Sequence, residues 1–132
     1  MRQLKTYIIE DSPVIRKSLI ETLEDLVPVK VVGVAEDEVT ALHWLSEPCN
    51  LIDLVIVDLF LKSGSGLGVL RGIKPSLQPC KIIILSNYAT REIRQKCLEL
   101  GADKIFDKST EIEALIEYCG DLADGQVESA AL

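Results

Sequence analysis

Residues 54–58 read Leu-Val-Ile-Val-Asp, and this stretch decides the fold. Val55, Ile56 and Val57 are β-branched, which favours an extended strand. The apolar run is unbroken, where a strand with one wet face would alternate with polar residues. Such a run suits a strand covered on both faces, as in a parallel sheet flanked by crossover helices. The run ends in a carboxylate, Asp58. In open α/β sheets the carboxyl ends of the strands form the edge where ligands sit.

The same signature recurs on either side. Thr6-Tyr7-Ile8-Ile9, Val29 to Val34 and Lys81 to Leu85 are apolar and rich in β-branched residues, and Ile105-Phe106 makes a shorter fifth strand. Amphipathic segments separate them. Ser12 caps a helix with Pro13 at its first position, and Ile15, Leu19, Leu23 and Leu26 follow along one face. Asp37 to Ser46 and Gly66 to Ile73 read as two further helices. A fourth runs from about Thr90 to Leu100, with Ile93, Cys97 and Leu100 facing inward and Gly101 ending it. Thr110 caps the last helix, whose apolar stripe is Ile112, Leu115, Ile116, Cys119 and Leu122. Pro48, Ser63 to Gly66 and Pro75 to Pro79 read as loops. The order is therefore (βα)₅, with helices on both faces of one sheet. Residues 1–122 form one domain, and 123–132 are expected to be a short acidic tail without fixed structure.

Bulk properties narrow the function. The 132 residues suit a single domain, and 48% apolar with 27% charged residues is an ordinary globular balance. A net charge of −7 disfavours a phosphate-backbone binder, so no direct nucleic-acid partner is expected. From Glu111 to Leu132 there is no Lys or Arg. No apolar run reaches membrane-spanning length and the first residues lack a signal-peptide core, so a soluble, cytoplasmic protein without a membrane partner is expected. Cys49, Cys80, Cys97 and Cys119 are widely spaced, and the chain has one His, so reduced thiols are expected in place of zinc ligation or disulfides.

The strand ends carry the chemistry. The first strand ends in Glu10-Asp11, the third in Asp58, the fourth in Ser86 and the fifth in Asp107-Lys108. Three carboxylates gathered on one rim repel one another, and a hard divalent cation relieves the repulsion. Mg²⁺ takes one or two protein carboxylates and leaves positions for phosphate oxygens. Asp58 can then attack phosphorus to give an acyl phosphate. Lys108 supplies a fixed positive charge for phosphoryl oxygens, and the Ser86 hydroxyl a hydrogen bond. Catalysis of this kind is positioning and charge stabilisation.

Ile9-Glu10-Asp11-Ser12, Val57-Asp58-Leu59-Phe60-Leu61 with Gly66 eight positions after the aspartate, Ile84-Leu85-Ser86-Asn87, and Gly101-Ala102-Asp103 leading to Lys108 together carry a resemblance. Over residues 4–122 the chain resembles the receiver domain of bacterial two-component response regulators. The resemblance implies a flavodoxin-like doubly wound sheet in the order 2-1-3-4-5. It implies that Asp58 takes its phosphoryl group from a phosphohistidine on a sensor histidine kinase or phosphotransfer protein, as in a phosphorelay. Asp11 and Asp58 would bind Mg²⁺ directly, with the Phe60 backbone carbonyl as third protein ligand and Glu10 acting through water. Ser86 and Lys108 would hold the phosphoryl group, and the kinase would dock on the first helix near Val14, Ile15, Ser18 and Leu19. Output would pass to a downstream effector protein, and the sole chemistry would be self-phosphorylation and autodephosphorylation of Asp58.

The chain departs from that family in three places. Lys62 stands where a proline is frequent, and Ser109 follows Lys108 where the family has a cis-proline. The switch position three residues before the lysine, usually aromatic, is Ile105, and strand alternation points the neighbouring Phe106 to the other face.

Blander readings compete at single residues. Glu10-Asp11 alone reads as a solvated, capping pair; His43 reads as a surface residue and Trp44 as packing. A small phosphatase or phosphotransferase with Asp58 as nucleophile towards external substrates is the alternative from the enzyme class. Haloacid-dehalogenase-type enzymes, however, need an acid two residues after the nucleophile, where this chain has Phe60. A flavin binder would need phosphate-binding donors where the first loop is acidic. Arg91, Arg94, Lys96 and Lys104 facing Glu111, Glu113 and Glu117 across a two-fold axis would suit a phosphorylation-dependent homodimer through the fourth helix, fifth strand and fifth helix. Two separately solvated faces are the competing reading.

Overall fold

Five strands and five helices alternate along the residues described by the computed structural model, 3–47, 51–73 and 80–125. They are β1 (Leu4–Ile9), α1 (Pro13–Leu26), β2 (Val29–Ala35), α2 (Glu38–Leu45), β3 (Leu54–Asp58), α3 (Gly66–Gly72), β4 (Lys81–Ser86), α4 (Arg91–Glu99), β5 (Lys104–Asp107) and α5 (Ile112–Ala123). All strand pairs are parallel, and the order is β2-β1-β3-β4-β5. This is the flavodoxin-like doubly wound sheet expected from the sequence. Pro48, Cys49, Pro75 to Pro79 and Gln126 to Leu132 lie outside the described residues.

The continuous apolar run of β3 now has its physical reason. Leu54 and Ile56 pack on one face with Leu19 and Leu23 of α1 and Leu115 and Cys119 of α5. Val55 and Val57 pack on the other with Ala41 of α2, Val69 of α3 and Cys97 of α4. None of these four β3 residues is more than 1% exposed. Removing a buried branched side chain of this kind loses transfer energy and leaves a cavity, so Ile56→Ala is expected to lower stability by about 2–5 kcal/mol in a urea titration. Because β3 sits between β1 and β4, it delivers Asp58 to the middle of the carboxyl edge.

Local signals held in part. The Ser12 hydroxyl accepts the Ile15 amide with Pro13 in the first turn, Asp37 caps α2 through the Thr40 amide, and Thr90 caps α4 through the Ile93 amide. Gly101 follows α4 at φ 105, a conformation only glycine adopts readily.

Two expectations fail. Ile15 and Leu26 are 46% and 60% exposed, because the sheet covers only the Leu19 and Leu23 stripe of α1. Thr110 does not cap α5; Glu111 occupies that position without a side-chain cap. In the turn before α5 the Asp107 carboxylate accepts the amides of Ser109 and Thr110, at 2.7 and 3.1 Å.

Trp44 is a packing residue. Its ring stacks on Tyr7 with centroids 4.0 Å apart and planes 8° from parallel. Gly33 makes room for the stack, since a Cβ there would lie 2.9 Å from the Tyr7 ring. The buried Tyr7 hydroxyl has no hydrogen-bond partner among the described residues. Burial, with the charge of Asp37 adding to it, pushes that phenol up to about 12.

Candidate functional site

The carboxyl edge gathers the acids named from the sequence. Glu10 follows β1, Asp58 ends β3, and carboxylate oxygens of Glu10, Asp11 and Asp58 all lie within 4.8 Å of one another. Glu10 and Asp58 are 3% and 7% exposed, while Asp11 is half-buried. Such a cluster needs positive charge, and Lys108 provides it. Its Nζ lies 2.5 Å from Glu10 Oε1 and 3.0 Å from Asp58 Oδ2. Burial alone would depress the Lys108 ammonium, but its hydrogen bonds to Glu10 and Asp58 and their charges outweigh it and raise the pKa. Among the described residues Asp11 makes no such ion pair, although the Lys108 charge acts on it too. Burial first, then its hydrogen bond to Glu10 and the charge of Glu10, raise its carboxyl above the usual range.

The backbone sets these side chains. The Glu10 amide donates to Ala35 O at 2.9 Å, and Glu10 Oε2 accepts the Ser12 amide at 3.2 Å. Asp58 Oδ1 accepts the Phe60 amide at 3.3 Å, and Lys108 donates its own amide to Ser86 O at 3.0 Å. Ser86 is fully buried, beside Leu85, the β4 register partner of Asp58. Its hydroxyl accepts the Tyr88 amide at 2.9 Å. No peptide bond among the described residues is cis.

The two residues in the switch region diverge as strand alternation requires. Ile105 is buried in the cluster that contains α4, whereas Phe106 lies on the opposite face, with its ring 6.1 Å from that of Tyr118. On the rim, exposed Phe60 and Tyr88 pack edge to face, 5.9 Å between centroids.

Two arginines were not singled out from the sequence as site residues. Arg16 on α1 donates to Glu10 O at 2.9 Å and to Glu36 at 3.2 Å, pinning the acidic loop. Arg94 on α4 donates to Ala89 O at 2.9 Å, to Ile105 O at 3.0 Å and to Glu111 at 2.5 Å. That pairing holds the Glu111 carboxyl below its usual range, with the Asp107 amide assisting. Neither arginine carries a local sequence signal, because its partners come from distant elements.

The donor set is all oxygen and mostly anionic, which fits a hard divalent cation and not a soft one. A carboxylate, an ammonium and a hydroxyl on the same edge fit phosphoryl transfer.

Comparison with known proteins agrees with this chemistry. The family described as "Response regulator receiver domain" matches residues 6–119. The chain is 30% identical to protein-glutamate methylesterase/protein-glutamine glutaminase 5 of Myxococcus xanthus, over 97% of this chain and 37% of that protein. It is 25% identical to response regulator UvrY of Escherichia coli K12, over 93% of this chain and 56% of that one. The chain thus spans about half the length of these relatives, or less. Among solved structures, a LuxR-family two-component response regulator from Aurantimonas superposes with a TM-score of 0.82 at 23% identity, covering 93% of this chain and 86% of that one. The response regulator domain of Thermotoga maritima CheB gives 0.76 at 20% identity, covering 91% and 98%. With the acidic edge and Lys108 in place, this chain belongs to the response regulator receiver domains of two-component systems.

Proposed function

We propose that the chain accepts a phosphoryl group on Asp58 from a phosphohistidine, with Mg²⁺ at the acidic cluster, and that the modification alters its α4-β5-α5 face. The observation carrying this reading is the Lys108 ammonium held between Glu10 and Asp58 beside Asp11. An Asp58 oxygen attacks phosphorus as the bond to the donor imidazole nitrogen breaks, and the bonding pair leaves with the imidazole. Asp11, Asp58 and the Phe60 carbonyl would hold Mg²⁺, which supplies charge neutralisation for the phosphoryl oxygens. Glu10 is engaged by Lys108 and the Ser12 amide, which suits contact through water. Lys108 and the Ser86 hydroxyl take the transferred oxygens.

The donor's route is supported by a groove of about 440 Å³ between α1 and α5. Val14, Ile15, Leu19, Ile112 and Ile116 line it, and it reaches Lys108. The exposure of Ile15, anomalous for a core residue, suits a kinase or phosphotransfer helix docking there.

Output without an aromatic at position 105 runs through Arg94 in this reading. When Ser86 turns towards a phosphoryl oxygen, its hold on the Tyr88 amide loosens and the loop before α4 shifts. Arg94 binds that loop at Ala89, β5 at Ile105 and the start of α5 at Glu111, so it passes the shift to all three. The Arg94–Glu111 pair also satisfies two charges within one chain. A phosphorylation-dependent homodimer would draw on exposed Arg91, Lys96, Lys104, Glu113 and Glu117. In a longer protein the effector would be a partner or an attached domain.

The test is incubation with acetyl phosphate and Mg²⁺, followed by intact mass. One phosphoryl addition that disappears when EDTA replaces Mg²⁺ is expected. No addition, or turnover of added phosphate esters without labelling, contradicts the proposal.

A further inference from the structure

We infer that Glu38, at the start of α2, is a positioning residue for the phosphorylation site: it clamps the loop between β3 and α3 and thereby fixes the Phe60 carbonyl. The inference rests on the reading that Asp58, Asp11 and that carbonyl hold Mg²⁺.

The residues after Asp58 double back on it. Phe60 and Ser65 form an antiparallel bridge, and the Gly66 amide donates to Leu59 O at 2.8 Å. The return is tight, since a Cβ on Gly66 would lie 2.6 Å from Asp58 O. Fixing Ser65 therefore fixes Phe60. Within Ser63-Gly64-Ser65-Gly66 the Ser65 hydroxyl accepts the Gly68 amide at 3.0 Å, which ties the stretch to α3 but leaves the Ser65 amide to be held from elsewhere.

Glu38 supplies the stiffness from another element. Its Oε1 accepts the Ser65 amide at 3.0 Å, and its own amide donates to Ser63 O at 3.2 Å. The side chain fills the space over two glycines. A Cβ on Gly64 would lie 2.5 Å from Glu38 Cβ, and one on Gly68 would overlap Glu38 Oε1. Gly64 also has φ 80, so it serves both the turn and the close approach. The base of the clamp is rigid, because Asp37 caps α2 through the Thr40 amide at 2.7 Å. Glu38 touches neither Asp58 nor Lys108 among the hydrogen bonds and ion pairs of the described residues; it acts through Ser65 and Phe60.

Groups that orient a metal ligand influence affinity about tenfold or more when removed. In Glu38→Ala, the dissociation constant for MgCl₂, measured calorimetrically, is expected to rise about tenfold. Exchange of the Ser65 amide should accelerate by at least about tenfold, since its acceptor is lost. The rate of labelling by acetyl phosphate at saturating Mg²⁺ should stay within about twofold, because the reacting groups remain. Glu38→Gln keeps an acceptor oxygen and should bind MgCl₂ like the wild type. Gly68→Ala supplies a second route, because its methyl displaces the Glu38 carboxylate while favouring the α3 helix. It should weaken MgCl₂ binding as Glu38→Ala does, and the double variant should be no weaker than either.

Wild-type affinity in folded Glu38→Ala, a Glu38→Gln protein as weak as Glu38→Ala, or additive losses in the double variant would overturn the inference while leaving the phosphoacceptor reading intact. Absence of MgCl₂ binding by the wild type would sink both.

Discussion

Asp58→Asn is expected to take up no phosphoryl group under conditions that label the wild-type chain fully. The amide that replaces the carboxylate is not a nucleophile towards phosphorus, and it would remove one anionic ligand of the proposed cation. The other acids cannot stand in. Glu10 is 3% exposed and bonded through both carboxylate oxygens, to Lys108 and to the Ser12 amide. Asp11 precedes the helix that begins at Pro13 and lacks the contact to Lys108 that orients Asp58. The fold should survive, because asparagine still accepts the Phe60 amide and has the same shape. Intact mass spectrometry after acetyl phosphate treatment checks this, and residual labelling of the variant would place the acceptor elsewhere.

Lys108→Ala should slow labelling of Asp58 by about 10²–10³-fold, the usual consequence of removing one preorganised group that faces developing charge. Its effect on folding should be as large. The variant leaves Glu10 and Asp58 buried without a counter-ion, which costs about 3–5 kcal/mol when a buried pair is broken from one side. Urea unfolding in EDTA would show this loss, and Mg²⁺ should restore part of it by binding the folded state. The pH dependence carries a definite sign. The folded pKa of Lys108 is raised above its ordinary 10.5, so its contribution is complete at neutral pH and disappears only as pH climbs past 10.5 through the folded value. Raising the pH past 10.5 should therefore narrow the stability gap between the wild type and Lys108→Ala. A variant as stable and as readily labelled as the wild type would show that Lys108 is a bystander.

The parts of the fold that were legible are those set by local physics. Residues 54–57 had to be apolar without interruption because helices cover both faces of β3, and that requirement is visible in one dimension. Ser12, Asp37 and Thr90 each accept the amide three residues on, a local contact; Ser12 was readable as a cap, and Asp37 and Thr90 as helix starts. Legibility failed where two elements compete for one group. Thr110 looked like a cap, but Asp107 holds its amide in the turn before α5, and Glu111 takes the cap position. Ile15 looked like core, yet the groove between α1 and α5 leaves it exposed.

The acids of the site were readable because strand ends in a parallel sheet must converge on one edge. Their supports were not. Arg16 reaches Glu36, Arg94 reaches Glu111, and Glu38 reaches Ser65, twenty, seventeen and 27 positions along the chain respectively. Nothing in the intervening sequence marks such pairs; they exist because the sheet brings α2 beside α3, and α4 beside β5. The glycines at 64 and 68 were visible as loop and helix-start residues. That they are small in order to admit a glutamate from another helix needs three dimensions.

A crystal structure with Mg²⁺ and beryllofluoride, a phosphoryl mimic, tests the arrangement most directly. Beryllium is expected on an Asp58 oxygen, fluorides within hydrogen-bond reach of Lys108 Nζ and Ser86 Oγ, and the cation against Asp11, Asp58 and the Phe60 carbonyl. Beryllofluoride absent from Asp58, or a cation bound away from Asp11 and Asp58, would contradict it.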